Sequence, residues 1–304
     1  MPMKHTIPEL MKSKSYVLAP EIYDCISAKC VEACGFDATV LSSSEFANSY
    51  GYPDLGLLTL DDFVDVTTRI CRCSSLPMIV DAEEGFGRVI HAYLTAQRLA
   101  EAGAGGILIT DLVDIGIKGM LPIDEAVQRF KAAKKGLEGS KCILVARTEF
   151  TPDNPQLAYD RCNRYLDLGA DMTLIHFGIN KAYDNNKTRV CEEIAKHVPG
   201  WKWFPDLQAS DVGVNLSDMA ELGFKFVGAH YLRTSAMEGM LDYGMHVYER
   251  EDNTYHTTHC RAPKNAPEPY SIGFNEWYEI EKDILQDPDM INRGNYKMFR
   301  RFVK

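Results

Sequence analysis

The feature that most constrains this chain is a strand–helix alternation running almost from end to end, with glycine at the joints. Short apolar runs read as strands at 15–20, 38–42, 78–81, 106–111, 142–147, 172–176, 201–205 and 224–229. Amphipathic stretches at 23–33, 60–73, 92–102, 123–137, 156–168, 189–197, 216–222 and 235–248 read as the helices between and after them. Gly35, Gly103, Gly169 and Gly223 stand just past helices, where a left-handed residue ends one element and feeds the next. Strands that alternate with helices imply a parallel sheet. Eight such units in 304 residues fit an α/β fold of the (β/α)8 TIM-barrel type. A doubly wound sheet is the rival, but no GxGxxG follows the first strand.

The expected barrel domain covers 1–248. The tail from about Glu249 is polar and irregular, carries Pro263, Pro267 and Pro269, and turns helical near 275–285. Residues 249–304 are expected to form a C-terminal arm and helix that pack on the barrel or on a neighbouring subunit.

Bulk properties narrow the function. A net charge of −10 with no basic block argues against nucleic acid as the main partner. The first residues hold no apolar core of signal-peptide length, and no segment approaches a membrane span. Nine cysteines lie scattered, most in helical, apolar contexts, and the single CxC at Cys71 and Cys73 has no matching pair. Buried free thiols in a reducing cytoplasm are expected, not a zinc site or a disulfide framework.

In such a barrel the chemistry sits where strands finish. The third strand runs into Asp81-Ala82-Glu83-Glu84-Gly85-Phe86-Gly87. Residues two apart on a strand point the same way, so Asp81 and Glu83 should aim at one spot, and the glycines let a ligand approach. Paired carboxylates with nothing basic between them suit a hard divalent cation, most plausibly Mg2+, with Mn2+ as the alternative. Other polar residues collect at the same end: Ser42, Ser43 and Ser44; Arg88; Asp111 and Asp114; Arg147 and Glu149; His176. Together they offer acids for a metal, an arginine for a carboxylate and a proton handler.

These segments resemble the isocitrate lyase and phosphoenolpyruvate mutase superfamily. The residues from Asp81 to Gly87 are similar to its DADTGYG metal motif, 52–59 to the LPDLGLLT segment of its methylisocitrate-lyase-like branch, and 145–149 to its ARTD or ARVE segment. The resemblance runs in order from about residue 5 to 245. It implies a Mg2+-dependent enzyme acting on a small 2-oxo or 2-hydroxy acid through an enolate, as a tetramer with exchanged C-terminal helices. Carried over by residue, it implies that Asp81, Glu83 and Asp54 hold the metal, and that Ser42 to Ser44 bind a substrate carboxylate through backbone N–H and hydroxyl groups. It further implies that Arg147 clamps a carboxylate or the 2-oxygen, and it puts His176 where the mutase branch has a histidine. Arg147, His176 and Asp111 are the candidate catalytic residues. Ser42, Ser43, Ser44, Arg88, Arg147 and Glu149 are the candidate substrate-binding residues.

The sequence also departs from the family pattern. Thr110 stands where the family has a metal-shell glutamate after its fourth strand, and the lid segment 112–122 lacks the lyase cysteine that protonates the leaving carbanion. The mutase EDK signature is missing too. Decarboxylation of a 2-oxo diacid needs less, because CO2 leaves without a proton. The expected activity is therefore a Mg2+-dependent lyase. Phosphorus–carbon chemistry like that of phosphoenolpyruvate mutase is one alternative, and a non-catalytic binding or scaffold protein on the same barrel is another.

Overall fold

A computed structural model describes residues 3–114, 117–151, 153–176, 186–207, 214–259 and 272–302. In chain order it has α1 (Ile7–Ser13), β1 (Val17–Ile22), α2 (Cys25–Cys34), β2 (Thr39–Leu41), α3 (Ser43–Ser49), α4 (Leu60–Cys73), β3 (Met78–Asp81), α5 (Val89–Glu101) and β4 (Gly106–Thr110). A hairpin of β5 (Leu112–Asp114) and β6 (Ile117–Met120) follows, then α6 (Ile123–Gly136), β7 (Ile143–Glu149), α7 (Pro155–Asp167), β8 (Met172–His176), α8 (Lys187–His197) and β9 (Lys202–Leu207). The chain continues through α9 (Leu216–Glu221), β10 (Phe224–Ala229), α10 (Leu232–Arg250), α11 (Tyr255–His259) and α12 (Phe274–Leu285).

The strands close into a barrel in the order β1-β10-β9-β8-β7-β4-β3-β2, and all its ladders are parallel. The expected (β/α)8 fold is the observed one. Alternation along each strand divides the side chains. Val40, Ile79, Leu108, Val145, Leu174, Trp203 and Phe226 belong to one buried cluster with Ile7, Leu10 and Met11 of α1. The short helix α1 thus closes the interior at the end where the strands begin. It was not expected from the sequence, although Thr6 and Glu9 cap it reciprocally: Thr6 N–H donates to Glu9 Oε2 at 2.8 Å and Glu9 N–H to Thr6 Oγ1 at 3.4 Å. Ile107 and Ile109 of β4 face the other way, into a layer with Ala92 and Ala96 of α5 and Phe130 of α6.

Three strands are shifted from their expected places, β7 among them, which begins one residue later and runs on to Glu149. β1 begins and ends two residues later than read, which carries Glu21 into the barrel wall, and β9 runs on to Leu207. The stretch after β2, expected as a loop, opens with α3.

The chain divides into two compact units, Met1–Leu241 and Asp242–Lys304. In the second, Tyr278 of α12 is buried, and Phe274 stacks on Phe299 with centroids 4.2 Å apart. No helix among the described residues is long and apolar enough to cross a membrane.

Candidate active site

A cavity of about 590 Å3 opens where the barrel strands end. Asp81, Glu83, Asp54, Arg147, His176 and all three serines 42–44 line it, together with Thr110.

Asp81 is the last residue of β3. Glu83 reaches the same wall by a different route from the one expected. It lies beyond the strand, with a left-handed φ of 55°. That conformation costs a non-glycine residue about 1–2 kcal/mol. The turn is held by Glu83 N–H donating to Asp81 Oδ1 at 3.2 Å and by Thr110 N–H donating to the Glu83 carbonyl at 2.9 Å. Burial pushes the Asp81 carboxyl above its ordinary value, although Arg147, the Glu83 amide and Ser43 all pull it down. Burial and the charges of Asp81 and Asp54 push Glu83 up to about 9. This wall carries more negative charge than its surroundings solvate.

Register brings the neighbouring wall together. β7 pairs with β8 so that Glu149 lies beside His176, and with β4 so that Arg147 lies beside Thr110. Arg147 donates to Glu149 Oε1 from Nε at 3.2 Å and from Nη2 at 3.0 Å, and His176 Nδ1 sits 3.0 Å from Glu149 Oε2. Burial alone would raise the Glu149 carboxyl. The His176 hydrogen bond and the Arg147 charge outweigh it and hold it below its usual 4.5. Both oxygens of Glu149 are taken by neighbours and it is not among the cavity-lining residues. Glu149 thus holds Arg147 and His176 and, unlike the candidate substrate-binding residues Ser42, Ser43, Ser44 and Arg147, does not line the cavity.

Ser42 caps α3, and its Oγ lies 3.3 Å from Ser44 Oγ. Ser43 Oγ donates to Asp81 Oδ2 at 3.2 Å, which ties the serines to the acidic wall.

Two expected site residues lie elsewhere. Asp111 does not line the cavity. It follows Thr110, so strand alternation turns it outward, where it is fully buried. Its Oδ2 accepts from Thr148 Oγ1 at 2.7 Å, Arg161 Nε at 3.1 Å and Tyr165 OH at 2.6 Å. Arg88 is exposed at the start of α5 and borders a separate groove with Glu84 and Asp114. The left-handed turn at Gly85, Phe86 and Gly87 carries it away from the cavity. The side chain of Lys118 lies outside the described residues, as do residues 115–116 of the hairpin.

Sequence reasoning missed Glu21, Glu45, His230 and Arg233. Glu21 on β1, His230 just past β10 and Arg233 on α10 line the cavity. Glu45 on α3 is 2% exposed. His230 Nε2 lies 2.8 Å from Glu21 Oε1, and its Nδ1 lies 3.4 Å from Glu45 Oε1. Donor atoms of the three fall within 4.8 Å of one another. The carboxylates approach different ring nitrogens, whereas one imidazole offers one nitrogen to one ion, so the arrangement is a hydrogen-bonded clamp. The signal for His230 was available: it is the polar residue directly after the eighth expected strand.

No described cysteine lines the cavity, and none of them is in a disulfide. Cys142, Cys162 and Cys191 are buried as expected, but Cys30 and Cys34 are exposed on α2. Burial pushes the thiols of Cys71 and Cys142 up to about 11 and about 12, which leaves them unreactive at neutral pH. Cys260 lies outside the described residues.

Comparison with known proteins places this barrel. The 2-methylisocitrate lyase of Aeropyrum pernix is 33% identical over 171 residues, which are 54% of this chain and 55% of that protein, so the chain spans about half the length of this relative. The oxaloacetate decarboxylase of Pseudomonas entomophila is 26% identical over 293 residues, 92% of this chain and 97% of that one. A phosphonopyruvate hydrolase solved with oxalate and Mg2+ shares the fold at a TM-score of 0.76 and 19% identity, over 92% of this chain and 97% of the other. The family model for phosphoenolpyruvate phosphomutase matches residues 7–243, a span that runs from α1 to beyond β10 and includes every residue lining the cavity. By that match the chain belongs to the phosphoenolpyruvate phosphomutase family.

Proposed function

We propose that this protein is a Mg2+-dependent lyase that breaks a carbon–carbon bond of a small 2-oxo or 2-hydroxy carboxylate through an enolate, with Mn2+ as the alternative ion. The observation that carries this reading is the crowding of Asp81, Glu83 and Asp54 on one wall, with Glu83 pushed up to about 9, in the cavity that Arg147 also lines. Carboxylates placed this way repel one another and lose solvation, and a hard cation with oxygen ligands relieves both. Asp81, Glu83 and Asp54 would hold the ion, which when bound supplies positive charge for the enolate oxygen.

The chain's own groups do the rest. Arg147, aimed by Glu149, holds a substrate carboxylate. The hydroxyls of Ser42, Ser43 and Ser44 hold its other oxygens. His176, fixed by Glu149, is placed to move a proton. Decarboxylation of a 2-oxo diacid is favoured over isocitrate-type cleavage because the segment 112–122 has no cysteine to protonate a leaving carbanion. The close approach of His176 to Arg147 through Glu149 also supports phosphorus–carbon chemistry as a second reading. A homotetramer with exchanged C-terminal helices is part of the proposal. Support comes from α12, where Trp277 and Ile284 are 73% and 72% exposed. A cytoplasmic setting fits the free thiols.

The deciding experiment incubates the protein with Mg2+ and a set of 2-oxo diacids, 2-hydroxy diacids and phosphonopyruvate while NMR follows pyruvate. Pyruvate from a diacid supports the lyase. Pyruvate from phosphonopyruvate alone supports the second reading, and none from any substrate overturns both.

Ion binding should depend on pH. Glu83 binds its proton more tightly in the folded chain than in the unfolded one. Without a cation, the stability this proton supplies is therefore lost as pH rises from about 4.5 towards about 9. A cation must displace that proton, so Mg2+ affinity should rise with pH, by up to about tenfold per unit below pH 9. Calorimetric titration at pH 6, 7 and 8 checks this, and a flat profile would rule Glu83 out as a ligand.

Arg147→Lys keeps the charge but loses the planar fork that serves Glu149 and a carboxylate together. A strong hydrogen bond to a charged group is worth about 1.5–3 kcal/mol, so kcat/KM should fall by about tenfold to a hundredfold. If Arg147 only braces the barrel rim, Tm drops and kcat/KM per folded molecule stays nearly constant. Both quantities are measured on the same variant.

A further inference from the structure

We propose that His230, held between Glu21 and Glu45, is the proton donor to the carbon that turns carbanionic in the cavity. This rests on the enolate chemistry proposed above. His230 stands at the end of β10, three places round the barrel from β3 through β2 and β1, so it faces the cavity from the side away from Asp81.

Hydrogen-bond bookkeeping points to a stored proton. Ionised carboxylates only accept, and both ring nitrogens of His230 have one within reach, at 2.8 and 3.4 Å. Either the ring donates on both sides as imidazolium, or one of the two carboxyls carries the proton. In each case the cluster holds a proton that a neutral imidazole with one partner would not. Glu45 adds a second, independent sign. Its side chain is 1% exposed, and its Oε2 has no hydrogen-bond partner among the described residues. A bare buried carboxylate oxygen is costly, and a shared proton on the cluster lowers that cost. Arg233, also on the cavity wall and bonded to Asn48 Oδ1 at 2.8 Å, adds a positive charge on the same side.

The step balances. The bond between C3 and C4 of a 2-oxo diacid breaks, CO2 departs, and the bonding pair enters the enolate. That pair then takes the proton from a His230 ring nitrogen and forms the new C3–H bond. The ring is left neutral, directly where it began as imidazolium, and by taking the carboxyl proton on its other nitrogen where Glu21 or Glu45 held it; a solvent proton then restores the cluster. The role fits a chain whose 112–122 segment contains neither cysteine nor histidine.

By microscopic reversibility, neutral His230 should remove a C3 proton from pyruvate. The test is exchange of the pyruvate methyl hydrogens in D2O with Mg2+, followed by proton NMR, with calorimetric oxalate binding in the presence of Mg2+ as the control for an intact site. Exchange is expected in the parent protein. It should fall by at least about a hundredfold in His230→Gln and His230→Asn, the scale of a lost acid–base group. Glu45→Gln should give a smaller loss. Oxalate affinity should change little in all three. Undiminished exchange in both His230 variants that still bind oxalate overturns the proposal. So does a parent that binds oxalate with Mg2+ but does not exchange, and there the enolate reading survives. A parent that does not bind oxalate with Mg2+ overturns both.

Discussion

Asp81→Ala should lower Mg2+-dependent oxalate affinity by more than about a hundredfold while leaving the fold intact. A hard cation in an open site depends on few protein carboxylates, and the loss of one is not made up elsewhere. Indirect partners of a metal site are already worth about ten- to a hundredfold, so a direct ligand should exceed that range. The fold should survive because Asp81 is under electrostatic load. Burial raises its carboxyl, and its charge is a main reason why Glu83 sits near 9. Removing it leaves Ser43 Oγ and Glu83 N–H without that acceptor, but both residues line a cavity that water can enter. Glu83 should then titrate closer to its ordinary value. Tm should stay level or rise. Unchanged Mg2+-dependent oxalate affinity in this variant would mean that the ion sits elsewhere.

Asp111→Ala should do the reverse, costing about 3–5 kcal/mol of stability because it leaves a buried charge unpaired. Arg161, whose side chain is 4% exposed, would lose its carboxylate partner. The hydroxyls of Thr148 and Tyr165 would lose their acceptor in the same place. The damage should extend to the hairpin. Arg161 Nη2 also donates to the Leu121 carbonyl, and the Leu121 amide donates to the Asp111 carbonyl at 2.9 Å. Arg129 holds the other foot of the hairpin, with Nη1 2.7 Å from the Leu112 carbonyl and 2.9 Å from that of Thr110. Urea denaturation should show the loss, and Tm should fall by roughly 5–15 °C. Asp111→Asn keeps an acceptor oxygen and should cost less. If Asp111 were instead a catalytic acid, Asp111→Asn would abolish turnover and barely move Tm.

Asp111 and Arg88 show why some site residues were misread. Asp111 follows directly on β4, and Arg88 comes seven residues after β3, in the segment that leads into α5. Whether such a residue faces the cavity depends on parity and on the turn that follows. For Asp111 parity was legible, since it is adjacent in sequence to Thr110, and only one of two neighbours on a strand can face inward. For Arg88 it was not, because the left-handed angles at Gly85, Phe86 and Gly87 decide where the chain goes. Glu83 was placed correctly for an incomplete reason. It meets Asp81 through a strained turn rather than through strand alternation.

The sequence by itself determined the eight strand–helix units, their order, the parallel sense of the sheet and the acidic turn after β3. Each follows from local pattern: apolar period, glycine stops and short polar ends. Only the tertiary structure decided which residues meet. Glu21, Glu45 and His230 lie far apart in the chain, and they converge because the closing ladder of the barrel sets β1 beside β10 with Pro20 opposite Ala229. Likewise Glu149 became a brace because the β7–β8 register puts His176 beside it and Arg147 bonds its other oxygen. Local pattern sets which way a chain segment runs. Ladder register and barrel closure, which are long-range pairings, set which side chains share a cavity and therefore a proton or an ion.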